Sequence, residues 1–173
     1  RQLARVSAIS YQETLWSDLF PGNYLTMQCL QPAVLGVESS FDLASETRKH
    51  VLWRLDGGSG TDDNLRWLLD RGYHLHGKGF SGKRANALAR HVERWDTYDI
   101  QSQLGRVVPS FYLGRPIDVL VKRRLQKGRW RHSYYVSTLT FPSKRAFMDK
   151  YNQRGAAEIE QFRNDKSGLH LSA

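Results

Sequence analysis

The run His50-Val51-Leu52-Trp53-Arg54-Leu55 stops abruptly at Asp56-Gly57-Gly58-Ser59-Gly60. A short apolar stretch cut off by glycines reads as a buried strand that empties into a loop. The same logic then repeats. Thr61 or Asp62 caps a helix with Leu65, Leu68 and Leu69 on its apolar face and Gly72 as its stop. Residues 73–76 read as a second strand, and Ser81 caps a helix over about 83–93, with Ala85, Leu88, Ala89 and Val92 facing inward. Two strand–helix units in succession predict adjacent parallel strands in an α/β fold.

The flanks differ in style. Residues 4–11 and 14–20 read as strands, Pro21-Gly22-Asn23 as a turn, and a helix follows from Thr26 with Leu30, Val34, Val37 and Phe41 at helical spacing. Pro32 is awkward there unless the helix starts near Gln31. After residue 100 come three Val-, Tyr- and Leu-rich stretches, 106–112, 117–125 and 129–140; Gln126-Lys127-Gly128 joins the last two as a hairpin. Pro142-Ser143 opens a helical stretch over about 144–165, with Phe147, Met148, Tyr151, Ile159 and Phe162 as its stripe and Gly155 interrupting it.

A chain of 173 residues, 40% of them apolar, suits one domain and excludes wholesale disorder. No apolar run approaches the roughly 20 residues that span a bilayer, so no membrane partner is expected. The single cysteine, Cys29, excludes a disulfide framework and a cysteine-based zinc site. The chain opens at Arg1 rather than Met and reads as a piece of a longer protein. Its net charge is +9, unevenly placed: residues 1–99 hold 12 basic and 12 acidic side chains, residues 100–173 hold 14 and 5. A basic half beside a neutral one points to a polyanion, and nucleic acid is the usual one.

Five features bear chemistry. Asp56 follows a buried strand, at the carboxyl end where open α/β sheets place their sites, although Asp-Gly also begins ordinary turns. Gly77-Lys78-Gly79-Phe80-Ser81-Gly82 matches the dinucleotide pattern G-x-G-x-x-G, while its Lys78 serves a phosphate contact equally well. His74 and His76 share a strand face without further ligands nearby. Trp130 lies between Arg129 and Arg131, the basic–aromatic interleaving used on nucleic acid, whereas the other tryptophans read as core. In the last helix Tyr151, Arg154 and Glu158 fall at i, i+3 and i+7 on one face, with Lys166 beyond. There a carboxylate can hold a metal ion while the arginine contacts phosphate; an ordinary Arg–Glu surface pair uses the same spacing.

Asp56 within R-L-D-G-G-S-G, followed about a hundred residues later by Y-x-x-R-x-x-x-E, resembles the DDE-type insertion-sequence transposases. The likeness is to the branch with a β-rich insertion and a Y-R-E-K signature. Phe20-Pro21-Gly22-Asn23, Lys78-Gly79, Tyr151-Asn152-Gln153-Arg154-Gly155 and the stretch Gln161 to Leu169 share in it. The lysine is one residue farther from Glu158 than the signature has it.

The resemblance implies an RNase H-like mixed sheet flanked by helices, with residues 1–99 as the first part of the core, 100–141 as the insertion and 142–173 as the closing helix. It matches Asp56 and Glu158 to catalytic, metal-binding carboxylates. It makes Tyr151, Arg154, Lys166, Lys78, Arg129, Trp130 and Arg131 DNA-contacting residues. The cofactor implied is Mg²⁺ or Mn²⁺. The partners implied are transposon-end and target DNA and a second copy of the intact protein, in the cytoplasm near the nucleoid. The family's first aspartate, on a central strand between residues 4–11 and 50–55, would then precede Arg1; Asp18 lies on the wrong strand to replace it. Two other classes remain open: a non-catalytic nucleic-acid-binding module, including an inactive transposase remnant, and a nucleotide-binding enzyme using residues 77–82.

Overall fold

A computed structural model describes residues 2–11 and 13–153. The chain builds β1 (Gln2–Ala8), β2 (Glu13–Phe20), α1 (Thr26–Phe41), the single turn α2 (Ser45–Arg48), β3 (Leu52–Leu55), α3 (Asp62–Asp70), β4 (His74–Lys78) and α4 (Gly82–Ala89). It continues through β5 (Val92–Asp99), β6 (Ser102–Val107), β7 (Asp118–Gln126) and β8 (Arg129–Ser137). Residues 144–153 are helical and are called α5. No helix among the described residues is long and apolar enough to cross a membrane.

The fold is mixed α/β. Six strands form one mixed sheet in the order β3-β4-β8-β7-β6-β5. β3 and β4 are parallel, as the two strand–helix units demand, and every other pairing is antiparallel. β1 and β2 make a separate antiparallel hairpin that packs on α1. Trp16 of β2 lies so close over Gly36 of α1 that a Cβ there would fall 2.2 Å from the indole nitrogen.

The sheet is covered on both faces. Val34 and Val37 of α1, Leu65, Leu68 and Leu69 of α3 and Ala85 of α4 pack on Trp53, Leu55, Leu75, Val119, Val121, Tyr134 and Val136. On the opposite face Phe147 and Met148 of α5 pack on Leu104, Leu120 and Tyr135, with Phe141 and Tyr151 beside them. The caps are local: Thr61 and Ser81 accept the N–H groups of Asn64 and Arg84, and Gly72 ends α3 at φ +86°.

Several boundaries depart from the sequence reading. β1 ends at Ala8, so residues 9–11 form the turn rather than strand. α1 is capped at Leu25, not Thr26; Leu25 donates its N–H to the Gln28 side chain at 2.7 Å, and the helix runs on through an exposed Pro32. α4 stops at Ala89, and Val92 opens a strand where helix was expected. The residue 99/100 boundary therefore falls within the β5–β6 turn. Residues 108–112 follow a cis Val108–Pro109 bond and are not strand.

Candidate active site

Asp56 is the first residue past β3. Its Oδ1 accepts the Ser59 N–H at 3.0 Å, which fixes the carboxylate at the mouth of the loop. The loop is clamped from three sides. The Lys78 stem crosses Gly57, and the Gly60 carbonyl accepts the Phe80 N–H at 2.8 Å. A Cβ at Gly60 would sit 1.9 Å from the Lys78 carbonyl, so only glycine allows this approach. Asn64, buried at the start of α3, donates to the carbonyls of Ser59 (3.0 Å) and Met27 (2.9 Å), tying the loop to α1. Asp56 and Lys78 thus share the carboxyl end of the parallel strand pair.

The helix α5 is pinned to the same place. Strand alternation puts Arg54 on the α5 face, and its Nη2 donates to the carbonyl oxygens of Lys150 and, at 3.4 Å, Tyr151. The Tyr151 ring meets Tyr135 edge-on at 4.7 Å, and Tyr135 is the direct cross-strand partner of Lys78. The fold therefore brings Tyr151 and Lys78 to either side of Tyr135, with Asp56 just past the carboxyl end of β3 in the loop that the Lys78 stem crosses. Arg154, Glu158 and Lys166 lie outside the described residues.

His76 stands opposite Arg54 in the β3–β4 register and is fully buried, flanked by Phe147 (4.7 Å), Phe141 (5.2 Å) and Tyr151 (6.2 Å). Burial pushes its pKa down to about 4; the Arg54 and Lys150 cations push the same way, and the Phe147 backbone opposes them only in part. Neither ring nitrogen makes a hydrogen bond of ordinary geometry to the described residues. His74, on the same face, is exposed and hydrogen-bonded to Thr138 at 3.0 Å. The two histidines form no metal pair. Among the described residues no three His, Cys, Asp or Glu side chains converge as a metal site.

The glycine-rich stretch 77–82 is no open loop: Gly77 and Lys78 end β4, Gly82 begins α4, and only residues 79–81 connect them. Its Gly79 and Phe80 N–H groups are spent on the carbonyls of Tyr134 and Gly60, leaving neither for a pyrophosphate. The Tyr134 ring lies directly on Gly79, 1.9 Å from where a Cβ would stand. Beyond β4 comes antiparallel β8, not the next parallel strand of a dinucleotide fold.

Arg129, Trp130 and Arg131 are not gathered at Asp56. They lie at the tip of the β7–β8 hairpin. β8 overhangs the carboxyl ends of β3 and β4, because its residues before Tyr135 extend past the Lys78 register. Arg131 is about 13 Å along the strand from Tyr135, four residues at about 3.3 Å each.

Two groupings escaped the sequence reading. Asp62, at the start of α3, accepts hydrogen bonds from Tyr112 and from Tyr134 (3.3 Å) and pairs with Arg84. The hydroxyls of Tyr112 and Tyr134 also meet at 2.9 Å. Asp62 thereby links the β-rich part to the helix that follows the Asp56 loop. Arg123 is stacked between Trp95 (4.2 Å) and Trp130 (4.5 Å) and donates to Gln103 at 2.7 Å. Neither grouping has a contiguous motif. No known protein-family model and no curated protein matches the chain.

Proposed function

We propose that this chain is the larger part of a DDE-type transposase catalytic core, acting on DNA at transposon ends. The observation that carries the reading is the joint placement of Asp56, Lys78 and Tyr151, with α5 fastened to the Asp56 strand by Arg54. The separation of the β1–β2 hairpin from β3 supports it too. An RNase H-like sheet carries its central strand, with the first catalytic aspartate, between those two elements.

In this reading the reaction is hydrolysis of a phosphodiester at the transposon end, followed by attack of the freed 3′-OH on target DNA. Mg²⁺ or Mn²⁺, when bound, activates the attacking oxygen and stabilises the leaving one. Asp56 offers an oxygen donor of the kind Mg²⁺ prefers but does not make a site by itself; Glu158 and a carboxylate on the central strand would complete it. Lys78 holds a backbone phosphate beside Asp56. Tyr151 contributes a ring at the site's edge, and Arg154, Lys166 and the basic hairpin hold further phosphates. The intact protein would work near the nucleoid, as a homodimer on paired ends.

A Mn²⁺ titration followed by electron paramagnetic resonance tests the reading. Weak binding is expected, lost in Asp56→Asn and in Glu158→Gln. Unchanged binding in both variants overturns the assignment. Robust Mn²⁺-dependent cleavage by the 173-residue chain, abolished by Asp56→Ala, would move the first carboxylate to Asp18 or Asp42. A DNA-binding module without catalysis would bind duplex but show no metal binding at Asp56.

A further inference from the structure

The basic run Lys122-Arg123-Arg124 is split by the strand into two faces. Arg123 points to the α4 face with Trp95, Trp130 and His132, where its guanidinium is sandwiched and hydrogen-bonded. Lys122 and Arg124 point to the α5 face, where Arg129, Arg131 and Ser133 stand on β8. There Arg124 is the direct cross-strand partner of Arg131, and both are exposed. Like charges directly opposite each other destabilise a sheet; Arg124 also donates to the Gln101 side chain at 3.1 Å, and a phosphate between the two arginines would relieve their repulsion.

The charge continues toward the site. Lys122 sits one pair nearer, opposite Ser133, and its cation is disfavoured by burial and by both Arg124 and Lys78; Asp99, at 3.8 Å, opposes this. Lys78, the partner of Tyr135, lies on the same face and reaches Gly57 beside Asp56. The cations therefore step from the hairpin tip to the Asp56 loop along one face.

We propose that the α5 face of the β7–β8 hairpin, through Arg131, Arg124 and Lys122, is a track for the phosphate backbone of duplex DNA leading to Asp56, and that Arg123 is a structural pin on the opposite face. The proposal rests on the DNA-processing reading above. It deepens that reading by separating cations that touch phosphate from one that does not.

Fluorescence anisotropy with a mixed-sequence duplex of about 30 base pairs, over a range of salt, decides it. The triple variant Lys122→Gln/Arg124→Gln/Arg131→Gln should flatten the slope of log K against log salt by about 2–3, near 0.9 per lost phosphate contact. Arg123→Gln should leave the slope unchanged and lower Tm. Arg131→Glu sets a carboxylate opposite Arg124, so it should weaken DNA binding while holding or raising Tm. That single variant decides the matter if the triple variant does not fold. A flattened slope in Arg123→Gln with an unchanged slope in the other two overturns the track. So does an unchanged slope in all three variants, and in that case binding by the wild-type chain leaves the DNA reading standing. A wild-type chain that binds no duplex removes both.

Discussion

Arg54 and Tyr151, 97 positions apart, are joined by a guanidinium on a backbone carbonyl at 3.4 Å. The contact is a fastening between strand and helix, and it lies beside a buried imidazole. Removing the guanidinium therefore acts on two observables at once. Arg54→Ala should lower stability by about 1–3 kcal/mol, the usual effect of losing a charge-assisted hydrogen bond, and speed amide exchange in residues 144–153. It should also raise the His76 pKa, since the Arg54 cation holds it down. NMR titration of the ring reads this directly. A His76 pKa unmoved by the substitution would separate the two residues.

Acid should loosen α5 through His76. The folded-state pKa, about 4, lies below the ordinary 6.5, so the fold favours the neutral ring. The contribution is complete above about pH 6.5, is lost as pH falls toward 4, and levels off below that; its full extent is about 3 kcal/mol. Urea denaturation at pH 7 and pH 4.5 should show the loss, and His76→Phe should remove most of it. An equal pH dependence in His76→Phe assigns the acid sensitivity to other groups.

Gly79 has no room for a side chain under Tyr134. Gly79→Ala should cost about 1–3 kcal/mol, as overpacking does, and show it as a lower urea midpoint with an unchanged m-value. A variant as stable as wild type would mean that the Tyr134 ring gives way freely.

The Asp62 cluster makes a similar claim about polar contacts. Tyr112→Phe deletes one donor to the Asp62 side chain and should cost about 1.5–3 kcal/mol, the usual effect of losing a hydrogen bond to a carboxylate. The double variant Tyr112→Phe/Tyr134→Phe should depart from additivity, since the two hydroxyls lie 2.9 Å apart and the single Tyr134 proton serves either Asp62 or the Tyr112 oxygen. Strict additivity in thermal melts would show them to act independently.

The stretch 50–82 was legible because its signals are local. Thr61, Ser81 and Gly72 each do their work within a turn of where they stand, β3 follows from an apolar run, and β4 was placed but not bounded, running His74–Lys78 where 73–76 was expected. β5 was not legible. Ala85, Leu88, Ala89 and Val92 keep helical spacing past the true end of α4, and it is pairing with β6 that converts Val92–Asp99 to strand. Charge is likewise sorted by the strand, not by the sequence. Lys122, Arg123 and Arg124 are consecutive in the sequence, and only a strand period of two sends the middle cation to the other face. Asp56 and Lys78 stood out as candidates because each stands at the carboxyl end of a strand. The role of Arg54 could not stand out, because its partners are main-chain oxygens that no side-chain motif records.

Among the described residues the β1–β2 hairpin shares no strand ladder with the six-stranded sheet, and it packs on α1. Its attachment is therefore governed by the burial of groups such as Trp16 and Leu15, not by backbone hydrogen bonds. Such a unit opens as a separate cooperative step. Its amides should exchange at a free energy set by the α1 seam, below that of β7 and β8, so the protein carries two stabilities within one chain.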